Sequence, residues 1–348
     1  MSEYMKKAVR LAVLAVLFAF PARAGEEPTI LVKSGATAYK VTLGYKFLVR
    51  KYMPERLQLA LPLVVTNEYQ RAALPEPLPH IIREHTETME KYYVMEFLDK
   101  DLTWMGVRWN LGYTVNVTLY DVRADFSKIT ELNPDTDRAS RYRGYTGDGI
   151  YVDPDNWEIR NISSNLMQRS ANSLEFARHC YDYVCQNFEY IPPVTKRKKR
   201  DKDDPMSDKA AEMDLRLRRL EIVLRDKRGN SGDLNSVLVS LLRSQGVTAR
   251  HLAAIRLDDS ARHMFADFYL PDYGWIPLDV GSAMSTGRDY FGRMYASDRM
   301  MIVSKGVNLS YRLDNRDLTI DSMINGYSFM FGGSARHYLY VDYEPLRY

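Results

Sequence analysis

Apolar residues change their spacing twice along this chain. From about 28 to 145 they come in short runs rich in β-branched and aromatic side chains: Thr29-Ile30-Leu31-Val32, Leu59-Ala60-Leu61-Pro62-Leu63-Val64-Val65 and Thr114 through Tyr120. Prolines and charges punctuate them. In the last run Val115, Val117 and Leu119 share one face and Asn116 and Thr118 the other, the two-residue period of a half-buried strand. This pattern predicts a β-sandwich-like domain over 25–145. Gly144 to Pro154, rich in Gly, Asp and Tyr, reads as a connection.

Past Trp157 the period lengthens. Ala177, Cys180, Tyr181, Val184 and Phe188 fall on one helical face, and Pro192-Pro193 is expected to end that helix. Lys196 to Pro205 (KRKKRDKDDP) has no apolar residue; it is read as a solvated loop or as a patch for an anionic polymer or membrane. A helix capped by Ser207 is expected next, with Met213, Leu217, Leu220 and Leu224 along it. After a break at Gly229-Asn230, a second helix runs from Ser231. Leu234, Val237, Leu238, Leu241 and Leu242 form its stripe, and Gly246 takes the C-cap position. Strands Ala266–Leu270 and Trp275–Leu278 are joined by the tight turn Pro271-Asp272-Tyr273-Gly274. Met300–Val303 and Tyr338–Val341 predict further strands.

Composition narrows the class. With 348 residues the chain has room for two domains, and 45% hydrophobic with 27% charged residues is ordinary for a globular protein. A net charge of +3 argues against a nucleic-acid partner. At the start, Lys6, Lys7 and Arg10 precede an apolar run, Leu11–Phe20, and a small-x-small site at Ala22-Arg23-Ala24. That layout predicts a signal peptide over 1–24. The run is short of the about 20 residues that span a bilayer. The expected product is a periplasmic or secreted chain with no transmembrane segment after Gly25. Cys180 and Cys185, five apart on a helix, diverge by about 140° and read as small buried hydrophobes rather than a disulfide or a nucleophile. His80, His85, His179 and His337 fit no metal spacing. No phosphate loop or dinucleotide fingerprint occurs, so neither a metal nor another cofactor is expected.

Three segments carry candidate chemistry, in order: Ser231-Gly232-Asp233 opening a helix, His263 on one strand, and Asp279 after the next. A helix N-terminus carries about half a positive charge, which favours a thiolate or an oxyanion. His263 would act as base and then acid, with Asp279 fixing its tautomer. With Leu241-Leu242-Arg243-Ser244-Gln245-Gly246-Val247-Thr248-Ala249-Arg250 and Gly274-Trp275-Ile276-Pro277-Leu278-Asp279 in register, residues 225–283 resemble the transglutaminase-like superfamily. That resemblance implies an α+β chain with a papain-like transglutaminase core over 146–285, followed by a C-terminal β extension over 286–348. Leu61-Pro62-Leu63 and Gln70 faintly resemble the β-domain preceding this core in some bacterial members. It also implies a nucleophile–His–Asp site at Ser231, His263 and Asp279.

This chain departs from the family pattern. Ser231 stands where the family has Cys, Phe265 where it has Trp, and Asp267 where it has Glu. A thiol is easily ionised beside a helix end and a His, whereas a hydroxyl must lose its proton during attack. Serine is also a good N-cap, worth about 1 kcal/mol. Two functions are therefore expected. One is a catalytically inactive or impaired module binding a peptide, protein, glycan or cell-envelope polymer in the old cleft. The alternative is a serine-dependent amidase, peptidase or acyltransferase using Ser231, His263 and Asp279.

Overall fold

A computed structural model describes residues 29–49, 52–74, 81–84, 91–98, 108–132, 145, 149–192, 215–313, 316–333 and 335–346. The expected signal peptide, the 196–205 charge run, Ser207, Met213, His80 and His85 lie outside these residues.

The strand-rich region is built on two long antiparallel partners. β1 (Leu31–Val49) pairs with β6 (Arg108–Ala124), with β2 (Arg56–Pro62), β3 (Gln70–Ala73), β4 (Ile81–Glu84) and β5 (Lys91–Leu98) between them in sequence. The two-residue period is visible in burial. Val41 and Leu43 face Val115 and Tyr113 across the ladder, and all four are buried, whereas Asn116 is exposed. Gly44 lies opposite Gly112, and a Cβ on either would collide with the other strand's backbone.

The helical part follows. α1 (Trp157–Met167) and α2 (Ser173–Asn187) are each capped by an asparagine side chain, Asn156 and Asn172. β7 (Glu189–Tyr190) pairs in parallel with β8 (Arg228–Gly229), flanking α3 (Leu220–Asp226). α4 (Ser231–Ser244) leads into β9 (Ala249–Arg256), β10 (Arg262–Leu270) and β11 (Gly274–Leu278), then α5 (Val280–Thr286). The chain closes with β12 (Arg293–Met294), β13 (Met300–Lys305), β14 (Leu309–Leu313), β15 (Arg316–Ile320), β16 (Tyr327–Phe331) and β17 (Ala335–Pro345).

Besides the two-stranded pairs β7-β8 and β14-β15, three larger sheets organise the described strands. One has the order β12-β6-β1-β17, with β3 also on β6; a second runs β16-β2-β5-β4; the third is β11-β10-β9-β13. The closing strands are thus shared out. β13 extends the sheet beside α4, while β16 and β17 complete the two sheets begun by the first strands. The fold is α+β, a strand-rich N-terminal region joined to a helix-and-sheet core.

α4 sits at the centre of that core. Its predicted stripe is fully buried, and so are Asn235, Ser236, Val239 and Ser240 on its other faces. α1, α2, α3 and the β9–β10 sheet enclose it. Each such Leu or Val contributes about 1.5–3 kcal/mol. Most polar atoms of these buried residues are bonded, as in Ser240 Oγ to the Ser236 carbonyl at 2.7 Å, although Asn235 Oδ1 has no hydrogen-bond partner among the described residues. Gly246, at φ +77, follows the helix in the left-handed conformation expected of it.

Two local expectations are corrected. α2 ends at Asn187, ahead of the prolines, because the chain turns into β7. The helix expected to carry Leu217, Leu220 and Leu224 spans only Leu220–Asp226. Leu215 and Leu217 are non-helical and join the apolar core under the β-sheets, a tertiary burial that local spacing does not encode.

Candidate active site

Ser231 is the first residue of α4, not its cap. Asn230 holds that place: its side-chain oxygen accepts from the Asp233 N–H at 3.0 Å, and Asp233 Oδ2 accepts from the Asn230 N–H at 3.2 Å. This reciprocal pair satisfies two of the helix's free donors, so the expectation that Ser231 caps the helix is corrected. Asp233 is itself buried and pinned by Arg218, whose backbone N–H and Nε each donate to it at 2.8 Å.

The Ser231 hydroxyl is used otherwise. β11 pairs with β10 only from Ala266 to Leu270. Beyond Ala266 the chain leaves the sheet into α5, and Met264, two residues on, has no β11 residue opposite it. α4 supplies the missing partner from its side chains. The Met264 N–H donates to Ser231 Oγ at 3.2 Å, and Asn235 Nδ2 donates to the Met264 carbonyl at 3.0 Å. Asn235 also donates to the Ser231 carbonyl at 2.7 Å. Ser231 and Asn235, one turn apart, thus clip the open edge of β10.

His263 and Asp279 do meet. His263 Nε2 lies 2.7 Å from Asp279 Oδ2. A carboxylate only accepts, so Nε2 carries the proton and Nδ1 is left to take one. The second carboxylate oxygen accepts from the Ser282 N–H at 2.9 Å, capping α5. Ser282 Oγ stands 3.4 Å from His263 Nε2, and the Phe265 ring stacks on the imidazole with centroids 6.4 Å apart.

Among the described residues, no hydrogen bond joins Ser231 Oγ to His263. Ser231 is 1% exposed. The first turn of α5 lies over it: a Cβ on Gly281 would come within 2.9 Å of Ser231 Cβ and 3.4 Å of His263 Cε1. The neighbouring thiols offer no substitute. Burial, reinforced by Asp182, pushes Cys185 up to about 12, and burial pushes Cys180 well above its ordinary value. Among the described residues no group of three or more His, Cys, Asp or Glu is placed to hold a metal ion.

Arg250, Asp267 and Trp275, all within the motif segments, assemble elsewhere, as a buried brace. Arg250 Nε and Nη2 donate to Asp267 at 2.9 and 3.0 Å, and Tyr69 OH donates to Asp267 Oδ2 at 2.9 Å. The guanidinium lies 3.6 Å from the Trp275 ring centroid, and its Nη2 donates to Glu68 at 3.3 Å. Burial pushes the Glu68 carboxyl up, but Arg250 and Lys305 outweigh it and hold it at about 2. The brace ties the segment before β3 to the core sheet.

Sequence reasoning missed Asn235, Gly281 and Ser282. Asn235 had a signal, a polar residue four after Ser231 inside an otherwise apolar stretch. Gly281 and Ser282 had none, because their roles arise where α5 folds back over α4.

Residues 160–280 match the family model described as the transglutaminase-like superfamily. No curated protein matches the chain. Among solved structures, a proposed cysteine protease from Cytophaga hutchinsonii aligns over 91% of this chain and 93% of its own, at 13% identity and a TM-score of 0.57, which shows a shared fold. The periplasmic domain of TgpA from Pseudomonas aeruginosa aligns over 73% of this chain and 92% of its own, at 13% identity and a TM-score of 0.35. LapG from Legionella pneumophila aligns over 45% of this chain and 85% of its own, at 16% identity and a TM-score of 0.31. The segment that carries Ser231, His263 and Asp279 belongs to the transglutaminase-like superfamily.

Proposed function

We propose that this chain is an exported transglutaminase-like protein whose catalytic centre no longer turns over. It acts as a binding module for a peptide, glycan or cell-envelope partner. One observation carries the reading: Ser231 Oγ accepts the Met264 N–H at 3.2 Å in a residue only 1% exposed, and among the described residues it makes no hydrogen bond to His263. A serine nucleophile must pass its proton to a base as it attacks, and a hydroxyl with neither base nor access does not begin.

A serine-dependent amidase, peptidase or acyltransferase using Ser231, His263 and Asp279 is the second reading. The 2.7 Å His263–Asp279 pair favours it, since the base is oriented and supported. The two separate in one experiment. Wild type, Ser231→Ala and Ser231→Cys are assayed for hydrolysis of peptide amides and for Gln–Lys crosslinking, with thermal melts run alongside. Inactive wild type and Ser231→Ala are expected. Turnover by the wild type that Ser231→Ala abolishes would sink the first reading; turnover by Ser231→Cys alone would sink the second.

A further inference from the structure

A cleft of about 1100 Å³ opens away from Ser231, His263 and Asp279, none of which lines it. Its walls are the Asp258–Ser260 turn between β9 and β10, the outer part of β17, the start of β16 and the Tyr45–Lys46 stretch of β1. Just above the about 300–1,000 Å³ range of small-molecule sites, it has room for an extended ligand.

The lining has a consistent chemistry. Six of its residues are tyrosines, with Tyr151, Tyr338, Tyr340 and Tyr343 only partly buried. Tyrosine offers an apolar ring face and a polar tip together. Lys46, Arg216 and Arg262 line it together with four carboxylates, of which Asp258 and Asp259 pair with Arg256 and Asp342 with Lys46, so neither sign prevails. That balance disfavours a strongly anionic or cationic ligand, which would call for one sign in excess. It suits a ligand that is neutral yet dense in groups that both donate and accept.

A peptide strand is the natural competitor, because β17 ends its sheet and could add a partner along its edge. That ladder is interrupted, since the Leu339 carbonyl already accepts from Arg262 Nη2 at 3.3 Å.

We infer that this tyrosine-lined cleft binds a neutral, extended oligosaccharide. Lys46 Nζ covers one face of the Tyr340 ring at 4.3 Å from its centroid, and the other ring faces of the cleft's tyrosines stack on the sugars' apolar C–H faces, while Asp258, paired with Arg256 at 3.3 Å, accepts from hydroxyls and the cationic side chains donate to them. This shares with the function proposed above only the idea of a binding role, and it stands whether or not Ser231 is catalytic.

The test is isothermal titration calorimetry on the full chain with two neutral probes, chitohexaose and cellohexaose, and with a mixed-charge hexapeptide of Gly, Ala, Asp and Lys. Binding of at least one sugar is expected, weakened tenfold or more in Tyr340→Ala and severalfold in Asp258→Asn, both with wild-type melting temperatures. Asp258 lies on an exposed turn, so its variant keeps the test open if Tyr340→Ala misfolds. Failure of both sugars to bind overturns the inference, as does sugar affinity unchanged in both variants. Binding of the peptide alone, lost in Tyr340→Ala, overturns it in favour of a polypeptide ligand.

Discussion

Ser231→Ala tests whether the hydroxyl is part of the fold. The substitution removes the acceptor of the Met264 N–H, which points from an edge that β11 does not reach into a site where Ser231 is 1% exposed. Water has no route to replace it. Leaving one buried donor unpaired costs about 1–3 kcal/mol. The helix cap is untouched, because Asn230 and Asp233 supply it, so no cap energy is added to the loss. At about 2–4 °C per kcal/mol for domains of 150–250 residues, and less for longer chains, the melting temperature should fall by about 2–6 °C. Asn235→Ala should fall further, since it removes two hydrogen bonds. The double variant should lose less than the sum, because the two side chains bond the N–H and the carbonyl of the same residue, Met264. Urea unfolding followed by circular dichroism reads all three free energies. A Ser231→Ala protein as stable as wild type, beside a destabilised Asn235→Ala, would refute the clip.

Four other outcomes are expected. Gly281→Ala should destabilise by about 1–3 kcal/mol through overpacking, since its Cβ would press on Ser231 at 2.9 Å, measurable by urea unfolding. Glu68, held at about 2 in the fold against an ordinary 4.5, contributes stability that is present above pH 4.5 and lost as pH falls towards 2. Glu68→Gln should flatten that part of the acid-unfolding curve. His251 is held neutral by burial, and by Arg243, at about 3 against an ordinary 6.5. The unfolded chain therefore takes up a proton that the folded chain refuses, and stability should fall from pH 6.5 towards 3, less so in His251→Gln. Asp279→Asn can keep the α5 cap and should change stability by less than about 1 kcal/mol, whereas Asp279→Ala should cost about 0.5–2 kcal/mol, compared by thermal melts.

Much of the core was legible because its signals are local. The start of α4, the left-handed Gly246 and the β10–β11 turn each depend on residues within a few positions of one another. The His263–Asp279 pairing, 2.7 Å between Nε2 and Oδ2, was legible from the resemblance, because the segments carrying the two residues follow the family's motif order. What α4 does with Ser231 was not. It depends on β11 stopping opposite Ala266, a register fact that no spacing within α4 contains. Leu217 fitted a helical period with Leu220 and Leu224, yet it packs beside Gly232 in a non-helical segment. The pairing of β16 with β2 and of β17 with β1 joins residues nearly 300 positions apart, and such contacts leave no periodic trace.

Retention of the dyad beside a displaced serine has a physical explanation that does not require turnover. Asp279 caps α5 through the Ser282 N–H, and α5 is the element that covers α4. Removing the carboxylate would loosen that cover, and removing His263 would leave Asp279 with one fewer donor in a nearly closed site. Both residues therefore have structural work that does not depend on catalysis. At position 231 the physics runs the other way. A thiol is a weak acceptor for the Met264 N–H, whereas a hydroxyl accepts well. Once activity no longer demands a thiolate, serine is the better residue for closing the β10 edge. On the inactive reading proposed above, the start of α4 serves as a strand clip, with the His–Asp pair as part of the packing over it.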